Sequence, residues 1–253
     1  MNYILDQVLE SYASCDLSAS LKVNFRNRTD TKYLADVNTL VSVLADLSDA
    51  YFISEIDFKR IHPYETMYFD LPNDELFFKH HNKNYPRYKF RKRYYPLSSD
   101  AFLEIKVKSN KKITTKIRLR IEECQDEFTP EQSDFIHYNT GVDTMDLSLV
   151  MTSGFNRITL VRKDFEERCT IDTGLYFNSN GEKVNLNGVV IFEVKKERNE
   201  HNSLISSKLK EHSIRPTGFS KYCIGRALTN PQLKRNYFKP QLKYVSPFIT
   251  TYL

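Results

Sequence analysis

The strongest constraint in this chain is an alternation of basic and apolar side chains through three consecutive segments. Arg87, Lys89, Arg91 and Arg93 interleave with Tyr88, Phe90 and Tyr94. Glu104, Lys106 and Lys108 interleave with Leu103, Ile105 and Val107, and Lys116, Arg118 and Arg120 with Ile117, Leu119 and Ile121. A period of two is the signature of a β-strand, in which residues two apart share a face. Each segment is therefore a strand with one cationic and one apolar face. Turn residues separate them: Ser98-Ser99-Asp100 and Ser109-Asn110. Neighbouring strands lie about 5 Å apart, so an open face of this kind would stack like charges side by side. A polyanion is the partner that removes that cost.

Composition places this block in context. The formal charge of the 253 residues is +5, from 37 basic and 32 acidic side chains. Between Lys79 and Arg120 there are fourteen Lys/Arg against Asp100 and Glu104, and the rest of the chain is net acidic. Local charge decides what is attracted, and here it is concentrated on alternating strand positions. Hydrophobic residues at 40% and charged residues at 27% suit a globular chain, and no Pro/Gly/Ser linker or repeat divides it, so a single domain over residues 1–253 is expected. No Lys or Arg precedes Lys22 and no apolar run approaches the roughly 20 residues of a membrane helix. A secretory signal is therefore not expected, and the expected location is cytoplasmic. Cys15, Cys124, Cys169 and Cys223 lack Cys-x-x-Cys spacing and read as reduced thiols.

The remaining pattern is mixed. A helix is expected over residues 3–12, another after an Asp36 N-cap with Val37, Leu40, Val41, Leu44 and Leu47 on one stripe, and others over 130–153 and 203–211. Extended structure is expected over residues 25–34, and alternation predicts strands over 55–70, 76–80, 86–95, 101–108, 113–121, 157–163, 168–177 and 188–196. Glu193 and Lys195 share a face opposite Val190, Phe192 and Val194. The fold class is thus α+β, an antiparallel barrel of about eight strands, polar inside, with helices packed outside.

Several chemistries find no support. No G-x-x-x-x-G-K-[ST] or G-x-G-x-x-G loop is present, so phosphate must be held by side chains. The run Arg87-Tyr88-Lys89-Phe90-Arg91 interleaves aromatic and basic residues as single-strand nucleic-acid binders do, but a strand puts the rings and the cations on opposite faces, so nucleic acid is not an expected partner. His80 and His81, read as strand neighbours, would point apart and not share a metal. Glu104 and Glu193 lie on the lysine faces, where carboxylate and phosphate together could hold a hard divalent cation.

Five motifs then occur in order: Arg28-Thr29-Asp30-Thr31-Lys32-Tyr33, Met67-Tyr68-Phe69-Asp70, Arg87 to Arg91, Phe102-Leu103-Glu104-Ile105-Lys106-Val107-Lys108, and Arg215-Pro216-Thr217-Gly218-Phe219-Ser220-Lys221-Tyr222. Together they resemble the VTC domain, the polyphosphate polymerase module of the vacuolar transporter chaperone complex and of stand-alone bacterial proteins. That family is similar to the CYTH-like triphosphate tunnel metalloenzymes. The resemblance covers about residues 24–242. It implies an ATP:polyphosphate phosphotransferase that adds the γ-phosphate of ATP to a growing polyphosphate chain, with Mn²⁺ or Mg²⁺ as cofactor. ATP and polyphosphate are the implied partners, and a membrane-protein partner is compatible with it. Triphosphate hydrolysis at the same site, or polyphosphate or inositol-polyphosphate binding without turnover, are the alternatives.

Carried over by position, the resemblance implies that Lys32, Lys89, Arg91, Lys106, Lys116, Arg157, Arg168 and Lys221 bind the triphosphate or the chain. Glu193 matches the family's metal-binding glutamate. Glu104, in the Glu-x-Lys pattern, either supports the metal or orients lysines. Two positions depart from the pattern. Gly218 stands where some active members have a second lysine, three residues before Lys221, and Leu71 replaces a common Thr after Tyr-Phe-Asp.

Overall fold

The computed structural model describes residues 3–16, 28–111, 113–198 and 202–252. The start of the expected 25–34 strand and the expected boundary at residue 24 lie outside the described residues. The chain forms two compact units interleaved in sequence: residues 1–62, 156–175 and 187–219 in the first, and 63–155, 176–186 and 220–253 in the second.

The first unit is helices on a sheet. Strands β2 (Arg28–Asp36), β9 (Glu167–Ser179) and β11 (Val189–Glu197) pair antiparallel, with β11 in the middle. Strand β3 (Tyr51–Ser54) pairs antiparallel with β8 (Ser148–Arg162) and parallel with the short β1 (Ser14–Cys15). β8 and β9 continue into the second unit. Helices α1 (Tyr3–Glu10), α2 (Val37–Ala45) and α5 (Leu204–Glu211) cover the apolar face. Their Leu5, Leu9, Leu40, Val43, Leu44, Ile205 and Leu209 form one buried cluster with Tyr33, Ile158, Cys169, Phe192 and Val194. Asp36 caps α2 as expected, accepting from Thr39 N at 2.7 Å. The opposite face keeps the polar members of each alternation.

The second unit is built on a meander: β4 (His62–Asp70), β5 (Arg87–Tyr95), β6 (Asp100–Lys108) and β7 (Thr114–Ile121), each antiparallel to the next. Short strands β10 (Glu182–Leu186) and β12 (Ile249–Tyr252) also pair antiparallel. Phe69, Phe90, Leu103, Ile105 and Ile121 form the core with Ile136 of α4 (Pro130–Thr140). Helices α3 (Glu75–His81), α6 (Lys221–Thr229) and α7 (Lys239–Val245) belong to the same unit. The antiparallel sheet with outer helices is the expected class.

Four details differ from expectation. There are twelve strands among the described residues, because the short ones carry too few residues to show a period. The barrel is not closed by hydrogen bonds among the described residues: β7 pairs with β6 alone, and β12 with β10 alone. β7 carries Lys116, half-buried beside Glu104, with Arg118 and Arg120 exposed on the same face, and charge on an edge strand opposes further pairing. The 76–80 segment is helix, not strand, because the Asp70 carboxylate accepts the first-turn N–H groups of Leu76 (2.8 Å) and Phe77 (3.1 Å). The 130–153 helix stops at Thr140, where Gly141 takes the left-handed conformation (φ +71) that ends helices, and β8 follows. No helix among the described residues is long and apolar enough to cross a membrane.

Candidate functional site

In the second unit, strand register turns the alternation into rows. Lys89 lies opposite Lys106, which lies opposite Lys116; Arg91 lies opposite Glu104, which lies opposite Arg118. The first row is three lysines side by side, and like charges directly opposite on a sheet are destabilising. The second row supplies the only carboxylate in either. Glu104 is 1% exposed, and Arg91 meets its Oε2 at 2.6 Å while Lys116 pairs with Oε1. Arg93 Nη1 stands 4.0 Å from Oε2. Burial alone would raise the Glu104 carboxyl; Arg91, Arg93 and Lys116 outweigh it and hold it down at about 2. Lys116 is itself pushed down to about 8 by burial, with Arg91 and Arg93 adding to the effect and Glu104 opposing it.

The N-terminus of α6 meets this surface. Ser220 caps the helix, accepting from Cys223 N at 3.2 Å, and Lys89 Nζ donates to the same hydroxyl at 2.9 Å. Lys221 Nζ stands 4.1 Å from the centroid of the Phe155 ring. Tyr222 donates its hydroxyl to Asp70, the residue whose carboxylate also caps α3. Arg226 reaches Asp74 and donates to Val150 O at 3.1 Å. A buried network thus fixes α6 against α3 and β8. On α3, burial and then Lys89 and Arg87 push the His80 imidazole down to about 2, so the ring is neutral. His81 instead holds Asn236 Oδ1 at 2.7 Å through Nε2. The two histidines are neighbours on a helix, not on the strand expected.

In the first unit, Lys32 lies opposite Glu193, which lies opposite Thr170; Asp30 lies opposite Lys195, which lies opposite Arg168. Lys32 Nζ meets Glu193 Oε1 at 2.6 Å and Lys195 Nζ meets Oε2 at 2.9 Å. Burial would raise this carboxyl too; Lys195 and Lys32 hold it well below the usual range. Arg157 makes a bidentate pair with Asp172, at 2.6 and 2.9 Å. Burial lowers Lys195, and Arg157 and Arg168 lower it further against the pull of Glu193. The Arg215–Phe219 stretch runs beside β2, with Thr217 N donating to Lys32 O at 2.8 Å.

Every expected position is accounted for within one unit or the other. Lys32, Arg157, Arg168 and Glu193 are in the first; Lys89, Arg91, Glu104, Lys106, Lys116 and Lys221 are in the second. Sequence reasoning left out Lys195 as a site residue, although its place two residues after Glu193 put it on that face. Asp70, Ser220 and Tyr222 stand inside the motifs quoted above, but nothing local shows their pairing or that of Asp172 with Arg157, because the partners are remote in sequence.

Among the described residues no three His, Cys, Asp or Glu side chains gather as a metal cage. Both Glu193 oxygens are taken by lysines. This donor set fits a divalent ion only when the ion brings most of its ligands with it, as a phosphate-bound ion does.

Comparison with known families matches residues 27–230 to the VTC domain. The chain belongs to the VTC domain family. No curated protein matches its sequence. Among solved structures, this VTC domain is similar to HpAC1 from Hippeastrum, an adenylyl cyclase candidate described as having a dominant triphosphatase activity: TM-score 0.53, 14% identity, 78% of this chain and 94% of that one. It is also similar to an adenylate cyclase candidate from Bacillus halodurans, with a TM-score of 0.52, 13% identity, and 77% and 94% coverage. At these identities the likeness is one of fold.

Proposed function

We propose that this VTC domain is a polyphosphate polymerase, transferring the γ-phosphoryl group of ATP to the end of a polyphosphate chain. The observation that carries the reading is the Lys89–Lys106–Lys116 row beside the Glu104 hub, in a chain of this family. Three adjacent lysines ask for a ligand with several negative charges at short spacing, and a triphosphate or polyphosphate has that form. Lys binds phosphate oxygen as a point charge and Arg through two parallel hydrogen bonds. Lys32, Lys89, Arg91, Lys106, Lys116, Arg157, Arg168 and Lys221 are assigned to that task.

Phosphoryl transfer asks a protein mainly to align donor and acceptor and to stabilise charge on the transferring group. The bond from the γ-phosphorus to its bridging oxygen breaks, a bond to an oxygen of the chain's terminal phosphate forms, and ADP leaves. An ionised terminal phosphate needs no general base. Glu104 fits the orienting role, because it fixes Arg91 and Lys116 by direct ion pairs. Glu193 would hold a Mn²⁺ or Mg²⁺ ion arriving with the phosphates, once Lys32 or Lys195 turned to a phosphate oxygen. Such an ion supplies further neutralisation of phosphate charge.

Incubation with ATP and Mn²⁺ or Mg²⁺ tests the reading, with ADP, free phosphate and long-chain polyphosphate measured together. ADP with chain product is expected. ADP with stoichiometric free phosphate would assign the site to hydrolysis, the activity described for HpAC1. Tight triphosphate binding without turnover would make the domain a polyphosphate binder. Lys106→Ala and Glu193→Ala should each abolish turnover while the protein stays folded; full activity in either would overturn the site assignment.

A further inference from the structure

The same strands that carry the cations present a different chemistry on their other face. On β4 and β5, Thr66 opposite Arg93 and Tyr68 opposite Arg91 alternate with Glu65 opposite Tyr94 and Met67 opposite Lys92. Glu65, Met67 and Tyr94 therefore face away from Arg91 and Arg93. With Thr66, whose Oγ1 accepts from Arg93 Nε at 3.3 Å, and with Glu122, Glu123 and Tyr176 of β9, they line a cavity of about 600 Å³ in the second unit, open to solvent where the three glutamates are exposed. That volume is in the range of small-molecule sites.

The walls have a definite character. Three carboxylates line the cavity, and no Lys, Arg or His stands among its described lining residues; Lys92, opposite Met67 on the same face, donates instead to the Gln125 and Glu127 carbonyls. Glu65 lies within electrostatic reach of two other walls: after burial its charge raises the Tyr176 hydroxyl, and it raises the Cys124 thiol against the larger, opposing effect of Lys92. Tyr176 rests directly against β8: a Cβ on Gly154 would meet its ring at 2.3 Å, so Gly154 is what lets the ring lie there. That ring already takes an ammonium, with Lys183 Nζ 4.7 Å from its centroid. Ser153, also on the wall and 1% exposed, has a buried hydroxyl with no hydrogen-bond partner among the described residues. The carboxylates are not gathered for chelation, since no three-ligand metal group occurs among the described residues.

We propose that this cavity binds a linear organic polyamine. Its ammonium ends pair with Glu65 and with Glu122–Glu123, its methylenes lie along Met67 and the tyrosine rings, and an inner N–H is available to the Ser153 hydroxyl. Separated carboxylates with apolar and aromatic surface between them complement spaced ammonium groups on a flexible hydrocarbon, and complement neither a compact metal ion nor a phosphate. The site is independent of the phosphate chemistry proposed for the opposite face.

Calorimetric titration of the full chain with spermidine, without nucleotide or phosphate and at low salt, tests this. Wild-type protein should bind one spermidine, and Glu65→Gln/Glu122→Gln/Glu123→Gln should weaken it at least tenfold. All three glutamates are exposed, so the variant should keep the wild-type circular dichroism spectrum and melting temperature. Propylamine and Mg²⁺ at equal concentration should not displace spermidine. The assignment is overturned if wild-type protein does not bind, if the triple variant binds equally well, or if Mg²⁺ competes as effectively as spermidine. It also fails if a short oligolysine peptide binds more tightly than spermidine, because the cavity would then be a docking groove for a protein segment.

Discussion

Glu104 and Glu193 are each a single carboxylate set among cations, yet the two surroundings differ in kind. Glu104 is nearly sealed, 1% exposed, and meets Arg91, Arg93 and Lys116 from both neighbouring strands. Glu193 is 18% exposed and is held by two lysines, one directly across the ladder and one two residues along its own strand. Arginine stays charged and offers a fixed fork of donors; lysine is a point charge on a flexible stem. The first arrangement fits a permanent joint that sets cation positions. The second fits an exchangeable one, since Lys32 is 33% exposed and can turn to another oxygen.

The sharpest way to break this contrast is to remove each charge in turn. Glu104→Gln leaves Arg91, Arg93 and Lys116 without their counter-ion, and breaking a buried ion pair from one side costs about 3–5 kcal/mol. Glu193→Gln should cost less, about 1–3 kcal/mol, because only Lys195 stays largely buried without its partner while Lys32 can return to water. Denaturant melts at pH 7 would measure both, and equal losses would end the distinction. The pH dependence gives a second reading. Glu104 is depressed to about 2 in the folded protein, so its stabilisation is full above its unfolded value near ~4.3 and is lost as pH falls towards about 2. The gap between wild type and Glu104→Gln should therefore narrow through that acid window.

A smaller effect follows from the crowding of lysines around these carboxylates. Lys116 is lowered to about 8, mainly by burial. A bound polyanion favours the charged form and raises it again. From about pH 8 upward, inorganic triphosphate binding should then take up a proton, approaching about one per complex, and weaken as pH rises. Calorimetry in two buffers of different ionisation enthalpy, without metal, reads this directly. Lys195 is lowered in the same direction, so Lys116→Arg should reduce the uptake and Lys116→Arg with Lys195→Arg should remove it. Uptake unchanged in the double variant would show that the protons belong to the ligand alone.

What could be read beforehand follows the same division between local and remote causes. Alternation located β5, β6 and β7 to within a residue, and with them the faces that carry Lys89, Arg91, Glu104, Lys106 and Lys116. Register, and hence the three-lysine row, depends on which turn lengths join the strands. The α3 segment reads as a strand from sequence because its cap, Asp70, stands six residues before Leu76, at the end of β4. Tyr222 reaches the same Asp70 from 152 residues away, and no local pattern announces such a pair. The acidic cavity is equally hidden: Glu65 and Glu122–Glu123 are separated in the chain by three strands, β5, β6 and β7, whose alternation is mainly basic and apolar.

The smallest expected effect concerns Gly218, where this chain departs from the two-lysine pattern. It follows Thr217, whose N–H is bonded to the Lys32 carbonyl, so it lies next to the strand that carries the first unit's lysine. A Cβ there would meet nothing within 4 Å, and the backbone is not in the left-handed region. Gly218→Lys should therefore change stability by no more than about 0.5 kcal/mol. One more cation about 4 Å from a phosphate in water contributes about 1 kcal/mol, roughly fivefold in affinity. Triphosphate binding to Gly218→Lys should be that much tighter at low ionic strength, and the gain should fade as salt shortens the range of the interaction. No gain at low salt would mean that residue 218 faces away from the lysines of the first unit, and the Glu193 side would then rely on Lys32 and Lys195, the two lysines seen to pair with it.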